Sequence, residues 1–365
     1  MTSGTFVLMG SGETSPTMVE LHKSLVRRAG RVTVLDTPYG FQENADELTE
    51  RAVTYFTESV GVAADVVTLR SASAPPADVG RALAALADAG YVFSGPGSPT
   101  YALGQWRAVG MADVLAGIVQ RGGVVVLASA AAVTAGALSV PVYEVYKVGQ
   151  APYWEEGLDV LGRLGLRATV VPHFNNAEGG THDTSCCWIG RRRLDRLRAE
   201  QPDLPVIGID EHTALVVDAA TGTATVHGQG GLHLLVGDSQ TDHPAGSEVD
   251  LAAALGVTAE VTTAEPAAAA VPGLGEALQA RDAAAVVSAL AAGSDLARAT
   301  ALASLEPVLR RGWETPDVEL LVRARAQARE DKQWALSDLL RDGLAALGFA
   351  VEDTPDGQRV RPLER

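Results

Sequence analysis

The chain has 365 residues, of which 47% are hydrophobic and 20% are charged, so it can build a hydrophobic core and is not intrinsically disordered. This length exceeds the usual size of one core, and two domains are therefore expected. Its 29 basic and 45 acidic side chains give a net charge of −16, which opposes binding to a nucleic-acid backbone or an anionic membrane over most of the surface.

Short apolar runs rich in β-forming residues alternate with longer helical patterns through the first two thirds of the chain. The runs that predict strands are 6–9, 31–35, 64–69, 91–94, 124–128, 168–171 and 206–209. Helical patterns between them include 45–60 and 77–89. Strands that alternate with helices predict an α/β domain with a mostly parallel sheet covered on both faces.

A hairpin is predicted late in this domain. Residues 214–217 and 223–226 flank a turn at Thr221-Gly222, and residues 232–235 add another strand candidate. We therefore place the first domain at residues 1–240.

The composition then changes. From Val261 to Gly273 the sequence is rich in alanine and proline, which is the composition of a linker. Residues 241–273 are assigned to this linker and residues 274–365 to a small helical domain. The spacing of four leucines places them on one face of a helix that ends at Gly348; they are Leu336, Leu340, Leu344 and Leu347.

The cysteines and the N-terminal sequence indicate the cellular compartment in which the protein is expected. Cys186 and Cys187 are adjacent, so no disulfide framework is expected. The first residues lack the basic region and apolar stretch of a secretory signal. The longest uncharged run, between Arg121 and Glu144, is broken by polar residues, glycine and proline. We expect a cytoplasmic protein without a membrane span.

A buried run at 124–128 ends in a serine with small neighbours. A nucleophile at a sharp strand-to-helix turn needs such neighbours, because bulky side chains would clash where the backbone bends. Ser129 is therefore the candidate nucleophile. The alternative is an ordinary serine at the N-cap of a helix.

Two later strands also end in residues with catalytic chemistry. His173 follows an apolar strand at the carboxyl edge, where open α/β sheets build sites, and can serve as a general base. The strand at 206–209 is followed by Asp210 and Glu211, carboxylates that can orient and stabilise an imidazolium. For each of these residues considered alone, the alternative to a catalytic role is an ordinary structural histidine or a surface acid.

Together these segments resemble the dipeptidase E and cyanophycinase family of serine peptidases, which share the flavodoxin-like fold of class I glutamine amidotransferases. Residues 129–132 are similar to the nucleophile motif Ser-Ala-Gly-Ala, residues 172–174 to the catalytic histidine segment, and residues 208–214 to the segment carrying the acid in cyanophycinases. The resemblance implies a flavodoxin-like three-layer sandwich and a Ser129–His173–Glu211 triad.

The segment 93–100 resembles the family's Gly-Gly-Asn loop, which implies the backbone N–H groups of Gly97 and Ala130 as oxyanion-hole donors. Ser98 replaces the asparagine, and Ala131 replaces the glycine usual two residues after the nucleophile. Dipeptidase E takes its acid from between nucleophile and histidine, so Glu144 is the alternative third member.

The glycine-rich segment after His173 predicts a substrate-binding loop. Asn176, Glu178 and His182 are expected to meet the charged ends of a small peptide, with Ser98 as a further substrate-binding residue. The histidines and acids of this segment have no recognised zinc spacing, so no metal is expected. The loop after the first strand lacks the third glycine of a dinucleotide motif, and we expect no cofactor.

The tail has a resemblance of its own. Residues 328–357 look like the C-terminal helical segment of cysteinyl-tRNA synthetases, whose catalytic signatures and zinc-ligand cysteines have no counterpart here. The resemblance implies a borrowed helical module without aminoacylation.

Our first functional hypothesis is a serine hydrolase that cleaves a small peptide or amino-acid amide by acyl transfer. The alternative is a non-catalytic or repurposed scaffold that binds tRNA, an amino-acid conjugate or a protein partner through its tail. We expect a homo-oligomer without membrane contact.

Overall fold

The computed structural model describes residues 4–256, 277, 280, 282–292, 318–346, 348–354 and 357–362. The chain divides into two compact units. The larger contains Met1–Ala72 and Leu86–Pro266, and the smaller contains Ser73–Ala85 and Ala267–Arg365.

The strand predictions of the first domain are confirmed, each with ends within two residues of the observed ones. The strands of the larger unit are β1 (Thr5–Met9), β2 (Val32–Leu35), β3 (Ala64–Val67), β4 (Tyr91–Ser94), β5 (Val124–Ala128), β6 (Leu138–Ser139), β7 (Glu155–Glu156), β8 (Thr169–Val171), β9 (Val206–Ile209), β10 (Thr213–Asp218), β11 (Thr223–Gly228), β12 (Gly231–Val236), β13 (Ser239–Pro244) and β14 (Glu248–Asp250).

Helices occupy most of the segments between the parallel strands. Within residues 4–256 they are α1 (Val19–Ala29), α2 (Ala45–Thr54), α3 (Pro76–Ala87), α4 (Pro99–Ala108), α5 (Met111–Gln120), α6 (Ala130–Val133), α7 (Val142–Tyr146), α8 (Val160–Arg163), α9 (Arg191–Glu200) and α10 (Leu251–Ala254). The predicted helix at 45–60 is continuous, but its last part, Tyr55–Val60, is π-helical.

The central sheet has eight strands in the order β14-β11-β10-β1-β5-β4-β2-β3. The five from β1 to β3 in this order run parallel. The remaining three run antiparallel to their neighbours and include the predicted hairpin of β10 and β11. Strands β1, β4 and β5 are buried at every residue, as expected where both faces of a sheet are covered. The predicted α/β class with a mostly parallel sheet is confirmed.

A second sheet has the order β13-β12-β9-β8, and β8 and β9 are parallel in it. The division into two sheets was not predicted. It arises because the chain turns sharply between β9 and β10, where His212 has a φ of 53°, and β10 then pairs with β1. Backbone hydrogen bonds connect the strand ends: Gly10 N donates to Thr213 O at 2.9 Å, and Phe174 N donates to Ile209 O at 3.0 Å.

The predicted start of the linker is wrong. Residues 241–254 instead contain the end of β13, all of β14 and helix α10. β13 pairs with β12 and β14 pairs with β11, so their backbone groups find partners in the sheets. The residues of β13 are polar and mostly exposed, which is why no apolar run marked this strand. Residues 257–273 of the predicted linker lie outside the described residues.

The smaller unit contains α11 (Ala283–Ala292), α12 (Glu319–Glu330), α13 (Trp334–Ala346) and a hairpin of β15 (Phe349–Thr354) and β16 (Gly357–Pro362). Leu336, Leu340 and Leu344 are buried in its core, as the leucine spacing predicts. Leu347, the fourth leucine of that face, lies outside the described residues.

Candidate active site

Ser129 lies at a strained strand-to-helix turn. It follows β5 directly, has φ 50° and ψ −117°, and is followed at once by α6. A non-glycine residue in such a conformation costs about 1–3 kcal/mol, so the surroundings must hold it. Its N–H donates to Met9 O at 3.0 Å, which attaches the turn to β1. The side chain makes no helix-capping hydrogen bond, which argues against the N-cap alternative.

The small residues after Ser129 pack tightly beneath the turn. Ala130, Ala131 and Ala132 are buried, and Ala131 N donates to Gly95 O at 3.3 Å. Ala131 belongs to the helix itself, whose right-handed backbone suits alanine. The methyl group that replaces the family's glycine is therefore accommodated.

His173 connects the serine to a carboxylate. Its Nε2 lies 2.8 Å from Ser129 Oγ, and its Nδ1 lies 2.8 Å from Glu211 Oε1. The histidine follows β8, and the acid follows the neighbouring parallel strand β9. Because the two strands end at the same edge, residues 38 positions apart meet. This arrangement permits a hydroxyl-to-imidazole proton transfer with the imidazole oriented by the acid.

The pKa values of this pair follow from burial and hydrogen bonding. Burial lowers the pKa of His173, against the opposing effect of the Glu211 and Glu178 carboxylates, which favour the charged ring. For Glu211, burial raises the pKa, but hydrogen bonds from His173 and Asn176 outweigh it and the net shift is downward. A neutral imidazole beside an ionised carboxylate is the state that a general base requires.

Glu144, the alternative acid, makes a different contact. Its Oε2 accepts a hydrogen bond from Thr100 Oγ1 at 2.9 Å. Within the described residues it is Glu211 whose carboxylate bonds to the His173 ring.

The backbone at Gly97 requires glycine. Gly97 has φ 146°, and a Cβ atom there would lie 2.1 Å from Pro38 O, so only glycine fits. Both polar atoms of the peptide group that joins Gly97 to Ser98 are hydrogen bonded. Tyr143 Oη donates to Gly97 O at 3.2 Å, and Ser98 N donates to Pro38 O at 2.8 Å. Among the described residues, neither the Gly97 N–H nor the Ala130 N–H has a hydrogen-bond partner.

Two of the expected substrate-binding residues, Ser98 and Asn176, make hydrogen bonds within the protein. Ser98 is buried, and its Oγ caps α4 by accepting from Tyr101 N at 3.2 Å. Asn176 is 3% exposed; its amide donates to Glu211 Oε1 at 3.0 Å and its oxygen accepts from Glu178 N at 3.2 Å. Both side chains use polar atoms in hydrogen bonds within the protein, and their contact with substrate stays a prediction.

Glu178 and His182 are exposed, as a substrate-binding role requires. The Glu178 carboxylate lies near enough to His173 to raise the pKa of that ring, against the net downward effect of burial. The His182 ring stacks on Tyr146 with a centroid distance of 6.2 Å and an interplanar angle of 15°.

Two further residues lie at the site without having been predicted from the sequence, Tyr143 and Trp188. Tyr143 holds the Gly97 loop. The Trp188 ring lies 4.4 Å from the His173 ring, measured between centroids. Neither had a local signal, since an aromatic residue in a turn or short helix is usually part of the core.

No group of three or more His, Cys, Asp or Glu side chains within the described ranges is placed to hold a metal ion. Among the helices that the structure describes, none is long and apolar enough to cross a membrane.

Comparison with known proteins agrees with the two resemblances. The sequence profile of peptidase family S51 matches residues 6–224, which is more than half of the chain. The protein therefore belongs to peptidase family S51, and the prediction from the motifs is confirmed. A second profile, that of the cysteinyl-tRNA ligase anticodon binding domain, matches residues 314–361.

A similar solved structure is a peptidase from an acI-B1 Actinobacterium, with 22% identity and a TM-score of 0.51 over 68% of this chain and 96% of that one. This likeness supports the fold of the larger unit.

Curated relatives match a short part of the chain. A cysteine–tRNA ligase of Heliobacterium modesticaldum is 52% identical over 42 residues, which are 12% of this chain and 9% of the ligase. One of Arthrobacter sp. is 44% identical over an alignment of 86 residues that covers 19% of this chain and 18% of the ligase. The chain thus spans less than a fifth of the length of these relatives.

Proposed function

We propose that this protein is a serine peptidase or amidase that cleaves a small peptide or related amide by acyl transfer. The observation that carries the proposal is the continuous hydrogen-bonded chain from Ser129 Oγ through the His173 ring to Glu211, with both contacts at 2.8 Å. The strained turn at Ser129 supports it, because strain of this kind is found where a nucleophile is presented above a sheet.

The proposed reaction has two halves. Ser129 Oγ attacks the carbonyl carbon of the scissile bond while His173 Nε2 takes the hydroxyl proton and later gives it to the leaving amine. In the second half, His173 takes a proton from a water molecule, which attacks the acyl-enzyme and releases Ser129. Glu211 stabilises the transient imidazolium, and the N–H groups of Gly97 and Ala130 bind the oxyanion.

For the substrate, we propose a peptide short enough for its charged ends to reach the loop after His173. The exposed Glu178 carboxylate suits an ammonium group there, and the exposed His182 provides a second polar contact.

The test is covalent labelling with a serine-directed fluorophosphonate. Wild-type protein is expected to label at one site, and Ser129→Ala is expected to abolish labelling and the hydrolysis of a dipeptide panel that includes acidic residues. Ser239→Ala, which removes an exposed hydroxyl on β13, is the matched control and should label like wild type. Undiminished labelling of the Ser129 variant contradicts the proposal.

A second candidate function concerns the tail. We propose that the smaller unit contacts tRNA, because its sequence matches an anticodon binding domain and it exposes an aromatic platform. Trp334 is 57% exposed, and the Arg329 guanidinium lies 5.6 Å from its ring centroid. Such a pair can stack on an unpaired base.

Binding of bulk tRNA in a gel-shift assay at stated salt tests this candidate. Trp334→Ala should weaken binding at least tenfold, whereas Trp334→Phe should retain most of it. Equal binding by wild type and Trp334→Ala contradicts an RNA role for this platform and leaves a protein contact as the alternative for the tail.

A further inference from the structure

Three consecutive residues next to the site have left-handed backbone conformations. Cys186, Cys187 and Trp188 have φ values of 54°, 59° and 63°. None is glycine, asparagine or aspartate, the residues that adopt this conformation readily. Local sequence preference therefore opposes the turn, and contacts with its surroundings must maintain it.

The turn donates hydrogen bonds to the backbone carbonyls of His173 and of the residue that follows it. Cys187 N donates to His173 O at 3.2 Å, and Cys186 N donates to Phe174 O at 3.0 Å. His173 itself has a φ of 47°, so its own backbone is also strained. The turn closes on itself where Gly190 N donates to Ser185 O at 2.8 Å.

The same turn places an indole against the imidazole. The Trp188 and His173 rings have a centroid distance of 4.4 Å and an interplanar angle of 48°. Ser129 and Glu211 occupy the two ring nitrogens, so the indole covers a part of the ring that hydrogen bonds do not restrain. The His173 side chain is only 9% exposed as a result of these contacts together.

We propose that Trp188, presented by this left-handed turn, is a positioning residue for His173: it keeps the imidazole in the rotamer that joins Ser129 to Glu211 and shields it from water. This inference rests on the proposed function of His173 as general base. Trp188 acts through the histidine and makes no hydrogen bond to the reacting groups.

The proposal predicts a change in the pH dependence, which a merely structural residue would not cause. The charged groups that act on the ring are Glu211 and Glu178, and both favour the protonated imidazole, whereas burial disfavours it. Removing the indole admits water and weakens the burial effect. The pKa of His173 then rises, and because the base must be neutral, the acid limb of the rate moves to higher pH.

The experiment measures the second-order rate of fluorophosphonate labelling against pH in the full-length protein. Trp188→Ala should slow labelling by about 10–100-fold and move the acid midpoint upward, because a displaced imidazole is less often placed to take the proton from the attacking Ser129 hydroxyl. Trp188→Phe retains an aromatic face and should stay within about threefold of wild type with little movement of the midpoint.

Trp154→Ala is the matched control. Trp154 packs against the same apolar cluster as Trp188, and its indole donates to Leu197 O at 2.8 Å. Trp154→Ala should lower the melting temperature without moving the pH midpoint of fluorophosphonate labelling. If Trp188→Ala slows labelling with an unmoved midpoint, as a general loss of packing would, the proposal is overturned.

A second measurement separates this proposal from the proposed function. In Ser129→Ala protein labelled with ¹³C-histidine, NMR titration of His173 should show a higher pKa after Trp188→Ala than before it. If the fluorophosphonate does not react with wild-type protein, the proposed serine-hydrolase function is wrong. The NMR titration still decides in that case whether Trp188 shields the ring. An unchanged pKa refutes the shielding, and Trp188→Leu replaces the alanine variant if that one does not fold.

Discussion

A single carboxylate oxygen of Glu211 accepts two hydrogen bonds. Its Oε1 accepts from the His173 imidazole at 2.8 Å and from the Asn176 amide at 3.0 Å. Two donors on one oxygen favour the ionised acid, which agrees with the lowered pKa of Glu211. Asn176 therefore helps to keep the acid charged and in place, although its sequence position pointed to substrate binding.

Substitution of the two candidate acids distinguishes their contributions. Glu211→Gln should reduce turnover by about 10⁴-fold with little effect on folding, because the amide no longer stabilises the imidazolium or holds its tautomer. Glu144→Gln should act mildly, since that carboxylate bonds to Thr100. Steady-state kinetics on a cleaved dipeptide and thermal melts of both variants provide the check. The opposite pattern would assign the acid to Glu144.

The Gly97 loop gives a prediction about the oxyanion hole. Gly97→Ala introduces a Cβ atom 2.1 Å from Pro38 O at a φ of 146°, so the loop must move and its N–H leaves the oxyanion position. Turnover should fall by about 10²–10³-fold. Gly104→Ala is the control, because a Cβ in that part of α4 meets nothing within 4 Å. Retained activity in Gly97→Ala would exclude this loop from the site.

Strand β12 contacts the ends of the two strands that carry His173 and Glu211. His233 on β12 lies 3.0 Å from Asp210 and 2.8 Å from Asp242, and its ring stacks on Phe174 at a centroid distance of 4.6 Å. Asp210 precedes Glu211 and Phe174 follows His173. An antiparallel strand added to the sheet of β8 and β9 thus supports the residues on which the site depends.

The His233 ion pairs predict a pH-dependent stability. Burial lowers the pKa of His233, but Asp210 and Asp242 outweigh it, so the net shift is upward from 6.5. The folded protein therefore binds the proton more tightly than the unfolded chain does. The stabilisation is complete below the unfolded pKa and disappears as the pH rises through the folded pKa.

Urea unfolding of wild type and His233→Gln measures this effect. The variant should lose about 1–2 kcal/mol of unfolding free energy at about pH 5.5 and clearly less at about pH 9. An equal loss at both pH values would show that the ring contributes through packing on Phe174 and not through its charge.

Two sequence matches fall in different units of the molecule. The peptidase match at 6–224 lies mostly in the larger unit, and the anticodon-binding match at 314–361 lies in the smaller. All residues of the proposed catalytic site belong to residues 95–211, whereas the exposed Trp334 platform belongs to the tail. The two proposed functions therefore involve separate sets of residues.

This separation predicts independent effects of substitutions. Ser129→Ala should abolish fluorophosphonate labelling and leave tRNA binding unchanged, and Trp334→Ala should weaken tRNA binding and leave the labelling rate within about twofold, because the two proposed sites share no residues and substitutions at independent sites are additive. Both measurements on the double variant complete the test. A labelling rate that responds to Trp334→Ala would show coupling between the units.

Local patterns in the sequence were enough to predict the strands of the parallel sheet, the hairpin of β10 and β11, and the turn at Ser129. Each of these depends on neighbours within a few positions: apolar runs bury themselves, and small residues permit a sharp bend. The family resemblance then indicated His173 as the candidate base and Glu211 as the candidate acid. The exposed polar strand β13 lacked such a pattern, so its pairing with β12 was not foreseen.

The contacts among the side chains of the site depend on the tertiary structure. Ser129 and His173 are 44 positions apart, and His173 and Glu211 are 38 apart, so their contacts depend on how two sheets meet. The same meeting buries Asn176 against the acid and brings the Trp188 ring to His173. These assignments follow from distance and burial in the folded chain, because a hydrogen bond or ring contact between remote residues leaves no periodic mark in the sequence.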